Sequence, residues 1–205
     1  MIAIIDYQTG NIGSILNMLK KIGAEASVVS DAKGITEADK LILPGVGAFD
    51  TGMRNLEQLN LVPLLNAEVK NRKKPILGIC LGMQLLAKKS EEGVLDGLAW
   101  LDAKVIKFAF GEEHRNLKIP HMGWNTIVPK RESPLLAGLD SSARFYFVHS
   151  YHLKCGEPDD VAATTMYGYE FPSVVQRENI YGVEFHPEKS HKFGIRLLKN
   201  FAELC

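Results

Sequence analysis

A cysteine placed where a strand is expected to end is the residue of this sequence best suited to covalent chemistry. Cys80 lies in the run GICLG at positions 78–82, with a glycine two residues away on either side. This spacing is typical of a nucleophile elbow, a tight strand-to-helix turn at which larger neighbouring side chains would clash. Backbone N–H groups at the start of the helix would favour the thiolate and bind a developing oxyanion. The plainer interpretation is that Cys80 is a small apolar core residue.

A histidine and a carboxylate stand two residues apart near the C-terminus. His186 and Glu188 occur in the run FHPE at positions 185–188, directly after an apolar run expected to be a strand. This spacing lets the carboxylate hold one ring nitrogen of the histidine while the other ring nitrogen faces a nucleophile. Either residue alone is more often structural, and Glu188 alone would serve to cap the last helix. Together with the elbow they predict a Cys-His-Glu triad for acyl transfer.

A glycine-rich turn follows the third expected strand. The run PGVGAF at positions 44–49 includes Gly45, Val46 and Gly47. Its backbone N–H groups are placed to supply the second half of an oxyanion hole at the same edge of the sheet. Without the triad it would be only a loop, because the phosphate-binding pattern G-x-x-x-x-G-K-[ST] is absent.

Alternating strands and helices must position these residues. Hydrophobic periodicity predicts strands over 2–5, 27–30, 40–43 and 75–79, and helices over 11–21, 61–71 and 82–89. Beyond about residue 100 it predicts shorter strands over 103–108, 125–128, 143–149, 161–167, 173–176 and 180–185, and a last helix over 189–204. We therefore expect an α/β fold with an open, mostly parallel, flavodoxin-like sheet, helices on both faces, and one domain spanning 1–205. The site belongs at the carboxyl ends of the strands.

Composition excludes several classes of function. The 205 residues carry 24 basic and 24 acidic side chains, so no overall charge favours nucleic acid or a membrane surface. The chain begins with an apolar strand pattern and shows no signal peptide or spanning segment, so we expect a cytoplasmic protein. The three cysteines are widely spaced, and the histidines show no metal-ligand spacing. We expect neither a metal nor another cofactor.

Taken together, the motifs resemble a known family. The runs PGVGAF, GICLGMQ and FHPEKS occur in the order and approximate spacing of the class I, triad-type glutamine amidotransferases. The runs DY at 6–7, GN at 10–11, IPHMGWN at 119–125 and FYFVHSY at 145–151 further resemble the glutaminase subunits of imidazole glycerol phosphate synthase. The resemblance covers essentially the whole chain.

The resemblance implies a role for each matching residue. Cys80 would attack the glutamine carboxamide, with His186 as base and later acid, oriented by Glu188. The backbone of Leu81 and of the turn at Val46 and Gly47 would form the oxyanion hole. The residues implied to hold the substrate are Gly45, Gln84, His149, Ser150 and Tyr151. A γ-glutamyl thioester forms as ammonia leaves, and water then releases glutamate.

The resemblance also implies a partner. In that family a separate, HisF-like cyclase subunit with a (β/α)8 barrel forms a heterodimer with the glutaminase and uses its ammonia to make imidazole glycerol phosphate and aminoimidazole carboxamide ribotide. The residues matching motifs near the docking face are Asn11, Met122, Trp124 and Lys189. The flexible glycines of the oxyanion turn suggest that the triad is weakly active until the liganded partner reshapes that turn.

Four alternatives stay open from the sequence alone. A similar glutaminase supplies ammonia to surface-polysaccharide sugar pathways, and only the acceptor differs there. A cysteine peptidase or other thiol hydrolase would use a similar elbow without a partner. A catalytically inactive binding module is disfavoured because all three triad positions are filled. His149 is a rival base, although no acid follows it at the H-x-E spacing.

Overall fold

A computed structural model describes the whole chain, residues 1–205, as thirteen strands and six α-helices. The strands are β1 (Ile2–Ile5), β2 (Ala26–Val29), β3 (Lys40–Gly45), β4 (Ile76–Cys80), β5 (Lys89–Ser90), β6 (Ala103–Lys107), β7 (His121–Thr126), β8 (Val128–Pro129), β9 (Arg144–His149), β10 (Tyr151–Cys155), β11 (Val161–Tyr167), β12 (Tyr169–Arg177) and β13 (Ile180–Val183). The helices are α1 (Ile12–Lys21), α2 (Ala32–Glu37), α3 (Phe49–Gln58), α4 (Leu61–Leu65), α5 (Leu81–Gln84) and α6 (His191–Leu204). A π-helical segment, Asn66–Asn71, continues α4.

An eight-stranded sheet forms the centre of the fold in the order β2-β1-β3-β4-β13-β12-β11-β8. The first five strands of this order pair in parallel, and the last three pair antiparallel. The expected mostly parallel α/β sheet is confirmed. Strands β3, β4 and β13 are neighbours at its centre, so their carboxyl ends bring the glycine-rich turn, the nucleophile and the histidine together.

Two apolar layers cover the sheet. Strands β1, β4 and β13 are buried along their whole length, which explains their continuous apolar sequences. On one face α1 and α6 pack through side chains such as Leu19, Leu198 and Phe201. On the other face α2, α3 and α4 contribute side chains such as Ile35 and Leu56. The central strands are therefore held rigidly from both sides.

Two smaller sheets flank the carboxyl edge. Strands β7 and β9 form an antiparallel ribbon, and β10, β6 and β5 form a three-stranded sheet. Tyr146 in β9 pairs with His186 through a β-bridge, in which the His186 N–H donates to the Tyr146 carbonyl over 2.9 Å. This bridge attaches the ribbon to the chain that carries the predicted base.

The local predictions differ from the structure on both sides of the nucleophile. The helix predicted over 82–89 is a single turn, α5, because the carbonyls of Leu85, Leu86 and Ala87 accept backbone bonds from the segment 98–101. Helices α2 and α3 and strands β5 and β10 were not predicted. None of the helices has the length and apolarity required to cross a bilayer.

Candidate active site

Cys80 occupies a strained elbow between β4 and α5. Its backbone has φ 53° and ψ −114°, a conformation that non-glycine residues rarely adopt. The flanking glycines allow the close approach: a Cβ on Gly82 would lie 1.8 Å from the Leu43 carbonyl oxygen, and one on Gly78 would lie 2.7 Å from the Gly82 oxygen. The steric reason inferred from the G-x-C-x-G pattern therefore holds in the structure.

The surroundings of Cys80 shift the pKa of its thiol upward. Burial raises the pKa of Cys80 above its ordinary value, and the nearby carboxyl of Glu184 acts in the same direction. A hydrogen bond from the Leu81 N–H and the charge of Lys189 lower the pKa but do not outweigh burial. The Leu81 N–H therefore acts toward the thiolate as expected, but burial outweighs it, so the sulfur needs a base to remove its proton.

His186 and Glu188 form the predicted pair. The Nδ1 of His186 lies 2.8 Å from Glu188 Oε1, which also accepts a bond from Asn11 Nδ2 over 3.2 Å. Burial alone would raise the pKa of Glu188, but the hydrogen bond and charge of His186, with the bond from Asn11, hold it below its ordinary value. Because the carboxylate accepts from Nδ1, the neutral imidazole presents an unprotonated Nε2, and that atom has no protein partner.

A cleft of about 480 Å³ brings the sequence-predicted residues together. Four segments contribute to its wall: the elbow, the glycine-rich turn, the β9–β10 connection and the segment after β13. Their ten lining residues are Val46, Gly47, Ala48, Cys80, Leu81, Gln84, His149, Ser150, Tyr151 and His186. Glu92, Pro120 and Val148 complete the lining. Gly45 does not line the cleft, since it packs beneath it, where a Cβ would lie 2.6 Å from the Tyr7 hydroxyl.

The glycine-rich turn is held by a residue that the sequence reasoning missed. Thr9 Oγ1 accepts from the Val46 N–H over 3.1 Å and donates to the Val46 carbonyl over 2.5 Å. The Val46 N–H, predicted as an oxyanion donor, is therefore occupied in this structure. Gly47 has φ 97°, which a residue with a side chain would adopt only under strain.

His149 is fully engaged by neighbouring groups. Its Nδ1 lies 2.8 Å from the Tyr151 carbonyl, so Nδ1 carries the proton and Nε2 accepts from His121 Nδ1 over 2.9 Å. His121 Nε2 in turn lies 3.2 Å from the Asn125 amide nitrogen. Burial lowers the pKa of His149 to about 3 and that of His121 to about 4. With no free ring nitrogen, His149 is disfavoured as the base.

Two acidic residues near the cleft were not identified from the sequence. Glu92 lines it from the loop after β5, and its Oε2 accepts from the Phe49 N–H at the start of α3 over 2.8 Å. Glu184 lies fully buried behind Gln84. The sequence around these two residues shows no motif that marks them. A glutamate in a loop or next to a strand is ordinarily exposed to solvent.

The residues predicted to meet a partner lie in two settings. Met122 and Trp124 are exposed on the β7–β9 ribbon, at 61% and 46% of their surface. Lys189 stands near the same face, with Nζ 5.5 Å from the centre of the Tyr146 ring. Asn11 instead bonds Glu188, as described above. An exposed apolar pair beside the cleft is suited to protein contact.

Cys155 and Cys205 lie outside the cleft, and burial raises the pKa of Cys155 to about 12 and that of Cys205 to about 11. No group of three or more histidine, cysteine or acidic side chains is arranged to hold a metal ion. The chemistry available in the cleft is therefore that of a thiol, an imidazole and a carboxylate.

Comparison with known proteins agrees with this geometry. Residues 3–204 match the family model described as Glutamine amidotransferase class-I. Among solved structures, one titled "Crystal structure of glutamine amidotransferase" superimposes with a TM-score of 0.75 at 23% identity, covering 100% of this chain and 98% of that one. PurLQS from Thermotoga maritima superimposes with a TM-score of 0.73 at 17% identity, covering 98% of this chain and 96% of that one. These two likenesses establish the fold. The chain belongs to the class-I glutamine amidotransferases and is an enzyme of the glutaminase half-reaction.

More similar relatives narrow the group. The Pseudomonas aeruginosa protein named "Imidazole glycerol phosphate synthase subunit HisH 2" is 50% identical over 204 residues, 100% of both chains. A Methanococcus maripaludis protein of the same name is 53% identical over 201 residues, 98% of both chains. This chain is thus of the HisH type within the family. The sugar-pathway, thiol-peptidase and inactive-module alternatives are not favoured by these relatives.

Proposed function

We propose that Cys80, His186 and Glu188 carry out glutamine hydrolysis as the glutaminase subunit of an imidazole glycerol phosphate synthase. The observation that carries this proposal is that His186 lines the same cleft as Cys80, with its Nε2 free of protein partners while Glu188 holds Nδ1. A base needs such an unoccupied nitrogen and a partner that fixes its tautomer.

In the first half of the reaction, His186 Nε2 takes the Cys80 proton as Sγ attacks the carboxamide carbon of glutamine. The thiol requires this base because burial raises its pKa. The oxyanion formed accepts hydrogen bonds from the Leu81 N–H and the Gly47 turn. As the C–N bond breaks, His186 returns the proton to the leaving nitrogen, and ammonia departs from a γ-glutamyl thioester.

In the second half, water attacks the thioester carbon while His186 accepts one of its protons. The C–S bond breaks, glutamate leaves, and the Cys80 sulfur regains its proton from His186. Glutamine and water are thereby converted to glutamate and ammonia, with all three side chains restored. Glu188 stays ionised throughout and stabilises the imidazolium that forms in each step.

Glutamine is held by the rest of the cleft wall. Gln84 and Glu92 offer acceptors for its ammonium and amide N–H groups, and the backbone of His149, Ser150 and Tyr151 offers further polar groups. Gly45 contributes by keeping the turn close to the elbow. The enclosure removes water from the reacting centre, which strengthens each of these interactions.

A separate, HisF-like cyclase subunit with a (β/α)8 barrel receives the ammonia and makes imidazole glycerol phosphate and aminoimidazole carboxamide ribotide. It docks as a heterodimer on the face bearing Met122, Trp124 and Lys189, with Asn11 linking that side to Glu188. The Val46 N–H is bound to Thr9, so the oxyanion hole is incomplete until docking changes this turn. The pair acts in the cytoplasm, and residues 1–205 form one amidotransferase domain.

The test measures glutamate release from glutamine by the wild-type chain and by Cys80→Ala, each alone and with the barrel subunit and its ribonucleotide substrate. We expect Cys80-dependent release that rises when the liganded barrel is added, because docking frees the oxyanion turn. Cys155→Ala is the matched control and should behave as wild type.

Each contrary result points to a different part of the proposal. Release by Cys80→Ala equal to wild type would remove the triad mechanism. Equal wild-type rates with and without the liganded barrel would remove activation by the partner. No release under any condition would remove the glutaminase assignment of this chain.

A further inference from the structure

A buried carboxyl group lies directly behind the substrate cleft and has no part in the mechanism above. Glu184, between β13 and His186, is fully buried. Its Oε1 accepts a hydrogen bond from Gln84 Nε2 over 2.7 Å and lies 3.7 Å from His149 Nδ1. A carboxyl group is rarely buried to this extent without a structural or functional partner, so the contact with Gln84 requires an explanation.

The Gln84 amide has one chemically sensible orientation. Its nitrogen lies 3.2 Å from the Tyr151 carbonyl oxygen, which can only accept, so the atom facing Tyr151 must be the NH₂ group. The second hydrogen of that group is directed to Glu184 Oε1. Both amide hydrogens are therefore consumed behind the cleft wall. Both hydrogen bonds of the Gln84 side chain are made by Nε2, so Oε1 is the part of the amide left for a ligand in the cleft that Gln84 lines.

We propose that Glu184 is a positioning residue that locks the Gln84 amide, so that the cleft presents an acceptor oxygen to an N–H donor of bound glutamine. This inference rests on the proposed function, because it concerns the substrate of the same cleft. Glu184 adds a second and shorter bond, 2.7 Å against 3.2 Å to the Tyr151 carbonyl, and so holds the amide more firmly in this orientation. The locked arrangement selects for a ligand with donor groups at that point and avoids the cost of reorienting the amide upon binding.

The buried setting of Glu184 suits this task. Burial raises the pKa of Glu184 well above its ordinary value, although the bond from Gln84 acts in the opposite direction. Oε1 is the acceptor of the bond from Gln84, and Oε2 has no hydrogen-bond partner. An amide oxygen in the same place would accept equally well, whereas a thioether of similar length would not.

The experiment compares glutamine kinetics in Glu184→Met and Glu184→Gln, each alone and combined with Gln84→Ala. For Glu184→Met we expect KM for glutamine to rise about tenfold, the equivalent of one lost hydrogen bond to a charged group, with kcat changed less than about threefold. Glu184→Gln restores a KM within about twofold of wild type. In the Gln84→Ala background, Glu184→Met raises KM for glutamine by less than about a further twofold, because Glu184 acts only through Gln84.

A purely structural role predicts a different pattern. A KM for Glu184→Met equal to that of wild type, or an equally large effect in the Gln84→Ala background, would overturn the proposal. So would a Glu184→Gln variant as impaired as Glu184→Met. Glu68→Gln, a change at another buried glutamate far from the cleft, is the matched control and should leave KM unchanged. Wild-type release that fails to depend on Cys80 would instead count against the proposed function, which separates the two failures.

Discussion

Two buried histidines line the same cleft in different surroundings. His186 follows β13 and has one ring nitrogen held by Glu188 and the other without a protein partner. In His149, at the end of β9, Nδ1 donates a hydrogen bond to the Tyr151 carbonyl and Nε2 accepts one from His121. Burial alone therefore does not distinguish a base from a structural histidine. The distinction lies in which partner holds the ring and whether the second nitrogen is free.

The partners also set the charge that each ring can carry. Glu188 is a carboxylate with a lowered pKa, so it stabilises a positive His186 when the ring takes a proton. His149 faces a neutral carbonyl and a second imidazole, and burial lowers its pKa to about 3. A proton arriving on His149 would break the bond from His121. The surroundings of His186 therefore suit the proposed proton transfer, and those of His149 suit a fixed geometry.

The largest expected effect is at His186. His186→Gln removes the group that takes and returns the proton, and we expect kcat for glutamine hydrolysis to fall about 10³-fold. Steady-state glutamate release in the presence of the liganded barrel subunit measures this. A loss smaller than that in His149→Phe would reverse the comparison between the two histidines.

A smaller loss is expected at the orienting acid. Glu188→Gln keeps the size of the side chain, but it removes the charge and allows an amide N–H to face Nδ1, which favours the wrong tautomer of His186. We expect kcat to fall about 10²-fold with little change in KM for glutamine. The same assay reports it. A Glu188→Gln enzyme with wild-type kcat would show that the carboxylate only supports the terminal helix.

At His149 the expected loss is of stability. His149→Phe leaves the buried His121 Nδ1–H without an acceptor and takes one donor from the Tyr151 carbonyl. We expect the free energy of unfolding to fall by about 1–3 kcal/mol, with kcat within about tenfold of wild type. Urea unfolding and glutaminase kinetics on the same preparations measure the two quantities. A kcat lowered as far as in His186→Gln would assign the base role to His149.

The pH dependence of unfolding sharpens the same contrast. The pKa values of His149 and His121 in the folded chain, about 3 and about 4, lie below the ordinary 6.5 because of burial. As pH falls below 6.5, the unfolded chain binds protons that the folded chain does not, so these groups make stability fall with falling pH. Each contributes at most about 1.4 kcal/mol per pH unit. His149→Phe should therefore show a shallower loss than wild type between pH 6.5 and 4.5 in urea titrations. Parallel curves would contradict the neutral, buried assignment.

The sequence motifs point to one of these two sites and leave the role of the other open. Cys80, His186 and Glu188 are identifiable because each belongs to a short motif at a strand end. Such motifs are visible in the sequence itself, and few local structures require that spacing. The link between His121 and His149 depends on the register of β7 against β9, in which these residues are direct cross-strand partners 28 positions apart. Hydrophobic periodicity carries no information about that register. This explains why the sequence left His149 open as a rival base.

Longer-range contacts account for the other differences. The helix after Cys80 ends at Gln84 because backbone amides from 98–101 take the carbonyls that a longer helix would use. Thr9 meets Val46 only once β1 and β3 are neighbours in the sheet. Glu184 meets Gln84 only because β13 lies beside β4. The parallel core itself was predictable, since its fully buried strands have continuous apolar sequences.

The most direct test of the central claim is to locate the covalent bond. The chain, with its liganded barrel subunit, is treated with a diazoketone analogue of glutamine, digested and analysed by mass spectrometry, with and without excess glutamine. We predict one adduct, on the peptide containing Cys80, that glutamine suppresses and that forms more slowly in His186→Gln. An adduct on Cys155 or Cys205, or labelling of Cys80 that neither glutamine nor His186→Gln affects, would contradict the account.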